Sequence, residues 1–423
     1  MKSHLVFGNQ KGIVLPVALV FLVVLGLMGS AAVVMTRTDM KISGNYKNSE
    51  QAFYVAEAGV ENAREVLRAM NATSSDKSSY SDELAALTGI NGVLDGYTSG
   101  TDDVPLISTT SLGNGSYTVY LTNDSIDGHL NLTDSNQTVT LTSVATGPNG
   151  SSSTIESTVK TFELFPPPGS ITLLGSGDTF TGNLSTAKNL YGDDQCGSGA
   201  PKPVIAASDS GDIPGIQASI NSSKPETYHG KDSDGNSVTA ATDPDTITKA
   251  ISSSTLASIN SNYGINLNDA HSLNKFVTDI KQLADTIVSG GTDANSVYVG
   301  TPGDTRIVVV DGDFNLNKSG AGILLVTGEL TFQGTITYTG IILVFGEGSM
   351  RRQGGGNNMI KGGIIIADTL GPDGIAGTAD DVLGSPSLNT SGGGQSNIIY
   401  CSTAIDDMLS DIPPRPISFK HVF

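Results

Sequence analysis

The chain contains no tryptophan, only two cysteines in 423 residues, and an aromatic share of 6%. So few large rings exclude an aromatic-rich core, and 51 glycines among abundant Ser, Thr, Asn and Asp suit short strands and turns. Basic residues are scarce as well: 23 Lys and Arg face 42 Asp and Glu, for a formal net charge of −19. Residues 1–12 hold two lysines and no acid, so the remainder is more acidic still. Such a surface repels nucleic acid and anionic lipid, which excludes a nucleic-acid partner. The five histidines (His4, His129, His229, His271, His421) are scattered and none accompanies a nucleophile motif. Arg351-Arg352 is the one adjacent basic pair. The composition therefore argues against an enzyme. A hydrophobic share of 38% still supports a folded body.

Charge is also missing from one long stretch, and that absence is the most informative feature. Gly12 is followed by the uncharged residues Ile13 through Met35, with Lys2 and Lys11 in front. As a helix this run rises ~35 Å, enough to cross a hydrocarbon core of ~30 Å. It exceeds the h-region of a simple cleaved signal. The basic residues precede the span, which places the N-terminus in the cytoplasm and the body on the far side of the inner membrane. An ordinary signal anchor, or a secretory signal cut near Ser30-Ala31-Ala32, is the alternative. A lipoprotein is excluded, because Cys196 and Cys401 lie far from the span.

A basic leader ending in Gly and running straight into an apolar helix, Lys11-Gly12-Ile13, resembles a type IV prepilin. The resemblance implies that a prepilin peptidase cuts after Gly12, leaving Ile13 as a methylated new terminus. Pro16 then falls in the first helical turn, where its missing N–H leaves no bond unmade. One departure stands out. Pilins usually carry Glu as the fifth mature residue, and here that place is Val17. The same exchange is familiar in certain minor subunits and in the tip pseudopilin of type II secretion. Ser43-Gly44-Asn45-Tyr46 and then Ala52-Phe53-Tyr54-Val55-Ala56-Glu57-Ala58-Gly59 resemble the N-terminal module of PilX-type minor pilins, over residues 12–68. Read without the family, Ala52, Ala56, Gly59, Ala63 and Val66 share a helical stripe, and Phe53, Val60 and Leu67 recur every seven residues. Small residues so spaced allow another helix or a sheet to approach closely. Glu61 with Arg64 and Glu65 with Arg68 read as pairs on the wet side.

Beyond the helix, taken as 13–70, residues 71–114 read as loop with a short helix at Ser81–Leu87. Ser116–Leu121, Thr138–Ala145 and Ser153–Leu164 alternate as strands of a small antiparallel sheet, so 71–165 forms a pilin-like β region. Pro166-Pro167-Pro168-Gly169 is the linker to a C-terminal β-rich domain, 170–423. There, apolar runs at Ile307–Val310, Ile323–Val326, Ile341–Phe345 and Ile364–Ala367 recur with offsets of 16, 18 and 23. Gly-rich corners at that spacing suit a β-solenoid, with a plain sandwich as the alternative. Ser170–Leu184 adds a candidate coil, and Thr246–Asn260 and Leu273–Ser289 read as flanking helices. The fold class expected is α+β: a long assembly helix, a small antiparallel sheet and a solenoid-like all-β domain.

Cys196 and Cys401, an even pair in an oxidising compartment, read as a disulfide. In the loop Asp373–Asp381, Asp373, Asp380 and Asp381 surround two glycines, a candidate calcium site without the spacing of an EF-hand. Asp232-Ser233-Asp234-Gly235-Asn236 is a lesser candidate. No other cofactor is expected. The resemblance implies other pilins and minor pilins, the prepilin peptidase and the inner membrane as partners, and a final place on the pilus at the cell surface. A minor pilin at or near the fibre tip is the leading expectation. A tip adhesin for a surface or glycan and a minor pseudopilin of type II secretion are the alternatives.

Overall fold

The computed structural model describes residues 14–74, 79–97, 102–161, 164–182, 188–353, 355–391 and 394–422. These divide into two compact units. The first contains residues 1–70, 74–160 and 416–423, and the second contains 71–73 and 161–415. The C-terminal residues expected in the β-rich domain therefore return to the first unit.

One helix dominates the first unit: α1, Val14–Thr73, sixty residues without a break. It passes straight through Gly44-Asn45, where a glycine Cβ would meet nothing. A short helix follows at Ser81–Ala86. The sheet comprises β1 (Ile107–Leu112), β2 (Gly115–Asn123), β3 (Thr138–Thr146), β4 (Ser152–Lys160) and then the C-terminal strand Arg415–Val422, in that spatial order. β1 to β4 run antiparallel, with Leu121 opposite Leu141 and Leu141 opposite Ser157. Period-two alternation sends Tyr117, Val119, Leu121, Val139, Leu141, Ala145, Ile155 and Val159 inward, onto Val55, Ala56, Val60, Ala63 and Leu67 of α1. β1 was expected as loop, and the C-terminal strand was not expected at all.

In the second unit the apolar runs form four long strands, Arg306–Asp311, Gly320–Val326, Ile336–Gly346 and Asn358–Asp368, paired in parallel. Short strands after each corner, Phe314–Leu316, Leu330–Gln333, Ser349–Gln353 and Ser387–Asn389, pair in parallel to build an opposing sheet. The chain thus winds in stacked coils. Val308, Leu324, Ile342 and Ile364 align inside the coils, with Phe314, Leu330, Phe332 and Met350 in the same core. Ile307, Ile323 and Ile341 face the other way, into a core shared with Phe276, Ile280, Ile405 and Met408 of the flanking helices. Burial on both faces is why these runs are continuously apolar rather than alternating. Gly322, Gly340 and Gly362 stack in register with φ of 124°, 124° and 137°. A side chain there would both strain the backbone and strike a neighbouring carbonyl, at 2.2 Å for Gly340.

The expected offset of 23 corresponds to a register of 22, because Ile341 pairs with Gly363 and Ile342 with Ile364. Gly363 lacks a side chain where the ring of Pro167 lies: a Cβ would fall 2.5 Å from Pro167 Cγ. Ser170–Leu184 does supply a coil, as Ile171–Leu174 pairs with Ile364–Ala367 and Thr179–Thr181 with Ser387–Asn389. The first coil in sequence thus stacks on the last of the four runs. Two helix expectations need correction. Within Thr246–Asn260, the first two residues end a short helix, Pro244–Ile247, Thr248–Ala250 is a strand paired in parallel with Ile205–Ala207, and the longer helix is Ser253–Tyr263. The second helix spans Ala270–Leu283, and Thr286–Ser289 is the edge strand beside Val308–Asp311.

Candidate functional site

Gly12 and Ile13, the expected processing site, lie outside the described residues. Pro16 sits in the first turn of α1, where no helical N–H partner is lost. From Leu15 to Lys47 every side chain of α1 is exposed. Leu15 is 79% exposed, Leu22 74% and Val17 45%. This is the one helix among the described residues long and apolar enough to cross a membrane. Bare apolar surface at ~25 cal/mol per Å2 is unstable in water, so the stretch is compatible with membrane anchoring. Three of its hydroxyls are satisfied within the helix: Ser30, Thr36 and Thr38 donate to the carbonyls of Leu27, Ala32 and Val34. In a medium without water that matters, because an unmet hydroxyl there is costly. Gly26 and Gly29 have nothing near them, leaving room for a neighbouring helix to approach.

At Ala52 the same helix changes surroundings. Ala52, Ala56 and Ala63 are fully buried, and Gly59 lies so close to the sheet that a Cβ would be 2.3 Å from Ser143 Oγ and 3.0 Å from the Tyr117 ring. Asn62 Nδ2 donates to the Tyr117 hydroxyl at 2.9 Å. Glu57 stays exposed, and Phe53 packs edge-on against Phe419 and His421 of the C-terminal strand. The expected Glu61–Arg64 and Glu65–Arg68 pairs are present, but Arg64 is buried rather than on the wet side. Glu57, Glu61, Val60, Pro416, Ile417 and Phe419 border a groove of about 390 Å3 between α1 and that strand.

On the second unit a polar groove of about 380 Å3 opens over the shorter parallel sheet. Asn315, Thr331 and Arg351 align across three coils in its floor, and Asp293, Asp313, Glu329 and Gln353 border it. Arg351 pairs with Glu329 at 2.6 Å, and Asn315 donates to Gln333 at 2.7 Å. Burial, then the nearby Asp313, Glu329 and Asp368 charges, raise the Glu347 carboxyl above its ordinary value. Burial and the Asp212 and Asp209 charges push Asp178, at another corner, up to about 7. Sequence reasoning passed over this groove, because its residues come from separate coils and meet only through the register.

Cys196 and Cys401 are joined by a disulfide in the second unit, with Cα atoms 5.2 Å apart. Asp194 caps the same loop, accepting from the amides of Gly197 and Gly199; against the effect of its partial burial, the Ser402 hydroxyl and amide, with the Gly199 and Cys196 amides, hold its carboxyl below the usual range. The candidate calcium loop is arranged differently from the expectation. Asp381 is buried, but Asn274, Gly377 and Thr378 satisfy both its oxygens. Asp373 accepts from Ile375 and Asp380 from Thr378. Among the described residues these three carboxylates are not gathered within 4.8 Å of one another. In the lesser candidate, Asp232 caps its own turn through the amides of Asp234 and Asn236.

Residues 11–61 match the family model described as PilX N-terminal, and the matched stretch covers the exposed part of α1 and the start of its buried part. No curated protein matches the chain. Among solved structures, the crystal structure of the competence-associated pilin ComZ from Thermus thermophilus aligns at 15% identity, covering 89% of this chain and 98% of that chain. Its TM-score of 0.19 carries no argument about this protein.

Proposed function

We propose that this protein is a non-enzymatic minor pilin of the PilX type, cut after Gly12 and built into a type IV pilus through the exposed part of α1. The single observation that supports this most is the divided helix. Among the described residues its apolar part finds no cover, while its continuation is locked under its own sheet. A cleaved signal has no need of such a rigid continuation. In this reading the inner membrane holds the exposed stretch before assembly, and the other pilins replace lipid around it afterwards. Val17 leaves no carboxylate to meet a neighbour's terminal amine, which suits a subunit with nothing deeper in the fibre, at or near the tip.

The second unit then stands outside as the displayed body, its disulfide suited to an oxidising environment. A tip adhesin is the second reading. The polar groove over the coil stack favours it, because carboxylates, amides and a guanidinium converge there as hydrogen-bonding partners for a sugar or a surface. A type II secretion pseudopilin shares the Val17 argument and would act in exporting enzymes instead.

The test is processing. In cells with an active prepilin peptidase, Gly12→Glu should retain the leader and migrate more slowly than the parent protein. Identical mobility of the two would count against the proposal.

A further inference from the structure

The carboxylates of the Asp373–Asp381 loop are not gathered at one point, but a different group of carboxylates in the first unit is. Asp95, Asp102 and Asp103 come from the connection between the short helix Ser81–Ala86 and β1, and one oxygen of each lies within 4.8 Å of the others. The frame around them is fixed. Leu94 is buried in the core beneath, the Val104 amide donates to the Leu87 carbonyl at 3.0 Å, and Asn91 binds both Asp102 and Asp95. Asp103 is the residue that points to a ligand. The residue is only 9% exposed, and while Oδ2 accepts from the amides of Asp95 and Gly96, Oδ1 is buried with no hydrogen-bond donor.

Two other buried aspartates of the same unit are arranged differently. Asp124 and Asp134 are more deeply buried, and each has both oxygens satisfied. Asp124 binds the Ile126 and Asp127 amides and Asn136, and Asp134 binds Tyr80, Asn136 and Thr138. A buried carboxylate oxygen without a donor is costly, and two further carboxylates beside it increase the cost. The surrounding sequence supplies no compensating charge: residues 78–159 contain nine Asp and Glu and no Lys or Arg.

We infer that Asp95, Asp102 and Asp103 bind a calcium ion. Calcium accepts carboxylates in an irregular, loop-built shell at 2.3–2.6 Å and fills the remaining places with carbonyl oxygens and water. It supplies the positive charge that Asp103 Oδ1 lacks and neutralises the repulsion among the three groups. Magnesium suits the site less, because it demands near-ideal octahedral geometry and holds its own water. The ion clamps the chain entering β1 onto the helix-covered core, so it stiffens the unit that carries α1. The inference stands independently of the pilin reading, since it needs only a folded first unit in calcium-containing surroundings.

The experiment uses the full chain in detergent, stripped with chelator and titrated with calcium chloride by calorimetry and thermal melting. The expected result is one saturable site of roughly 10⁻⁴–10⁻³ M, the range of extracellular calcium modules, with a melting midpoint that rises on calcium addition and falls on chelation. Asp102→Asn, at an exposed position, should weaken binding at least ~10-fold as one charged ligand is lost, and Asp103→Asn should do the same. The pair Asp373→Asn and Asp380→Asn should leave it unchanged. Absence of saturable binding to the parent protein would overturn the inference, as would binding that survives both Asp102→Asn and Asp103→Asn. Because the parent protein is itself measured, a misfolded variant does not decide the outcome.

Discussion

From Leu15 to Lys47, α1 leaves every side chain exposed, whereas from Ala52 to Leu67 it buries a stripe of small and branched residues against a five-stranded sheet. Both parts are apolar, but in different ways. From Leu15 to Met35 the first is apolar around its whole circumference, and Ser30 turns its hydroxyl back on the Leu27 carbonyl, as suits a helix in lipid or among other helices. The second is apolar on one side and carries Glu57, Glu61 and Glu65 on the other, as a helix half in water must be. A single continuous helix thus changes character along its length: the uncharged run ends at Met35, exposed charged residues follow from Arg37 to Lys47, and the buried stripe begins at Ala52.

Glycine gives the strongest way to break this comparison. Gly59→Leu should push α1 off Ser143 and Tyr117 and cost about 1–3 kcal/mol or more of first-unit stability. Gly29→Leu, with nothing near it, should change the melting midpoint little, within about ±0.5 kcal/mol. Equal effects in thermal melts of the detergent-solubilised chain would mean that the two parts are not packed differently. A smaller contrast comes from the polar groups. Asn62→Leu should cost about 1 kcal/mol, because it strands the Tyr117 hydroxyl, while Ser30→Ala should be near neutral, because its partner is the carbonyl of Leu27 in its own helix. Chemical denaturation followed by circular dichroism would separate the two.

Much of this was legible in the sequence, for identifiable reasons. The uncharged run announced the exposed part of α1, and the Ala52, Ala56, Gly59, Ala63 stripe announced the buried part, because both signals are local and periodic. β2, β3 and β4 were legible by alternation. β1 was not, because Ile-Ser-Thr-Thr-Ser-Leu lies at the sheet edge with one well-buried residue, and its burial supplies almost no pattern. The C-terminal strand was hidden for a related reason. It follows Pro413-Pro414, is mostly exposed, and owes its place to a partner more than 250 residues earlier, Ser153 with His421 and Ser157 with Ser418. In the coil stack the spacing was readable to within one residue, and the slip came from Gly363 standing where an apolar side chain was expected.

Site chemistry was harder to read. Clustered aspartates in the Asp373–Asp381 loop looked like ligands, yet the protein's own donors satisfy Asp381, which only the fold reveals. Asp95, Asp102 and Asp103 gave no comparable signal, because their convergence depends on how the chain before β1 turns back on itself. The density of acid without base in residues 78–159 was the clue available.

The central claim is that the exposed part of α1 stays in the finished protein as its means of assembly. Mass measurement of the N-terminal peptide, on protein recovered from sheared surface fibres, tests this most directly. The account predicts a chain beginning at Ile13, with or without a methyl group. A chain beginning beyond Met35 would contradict it.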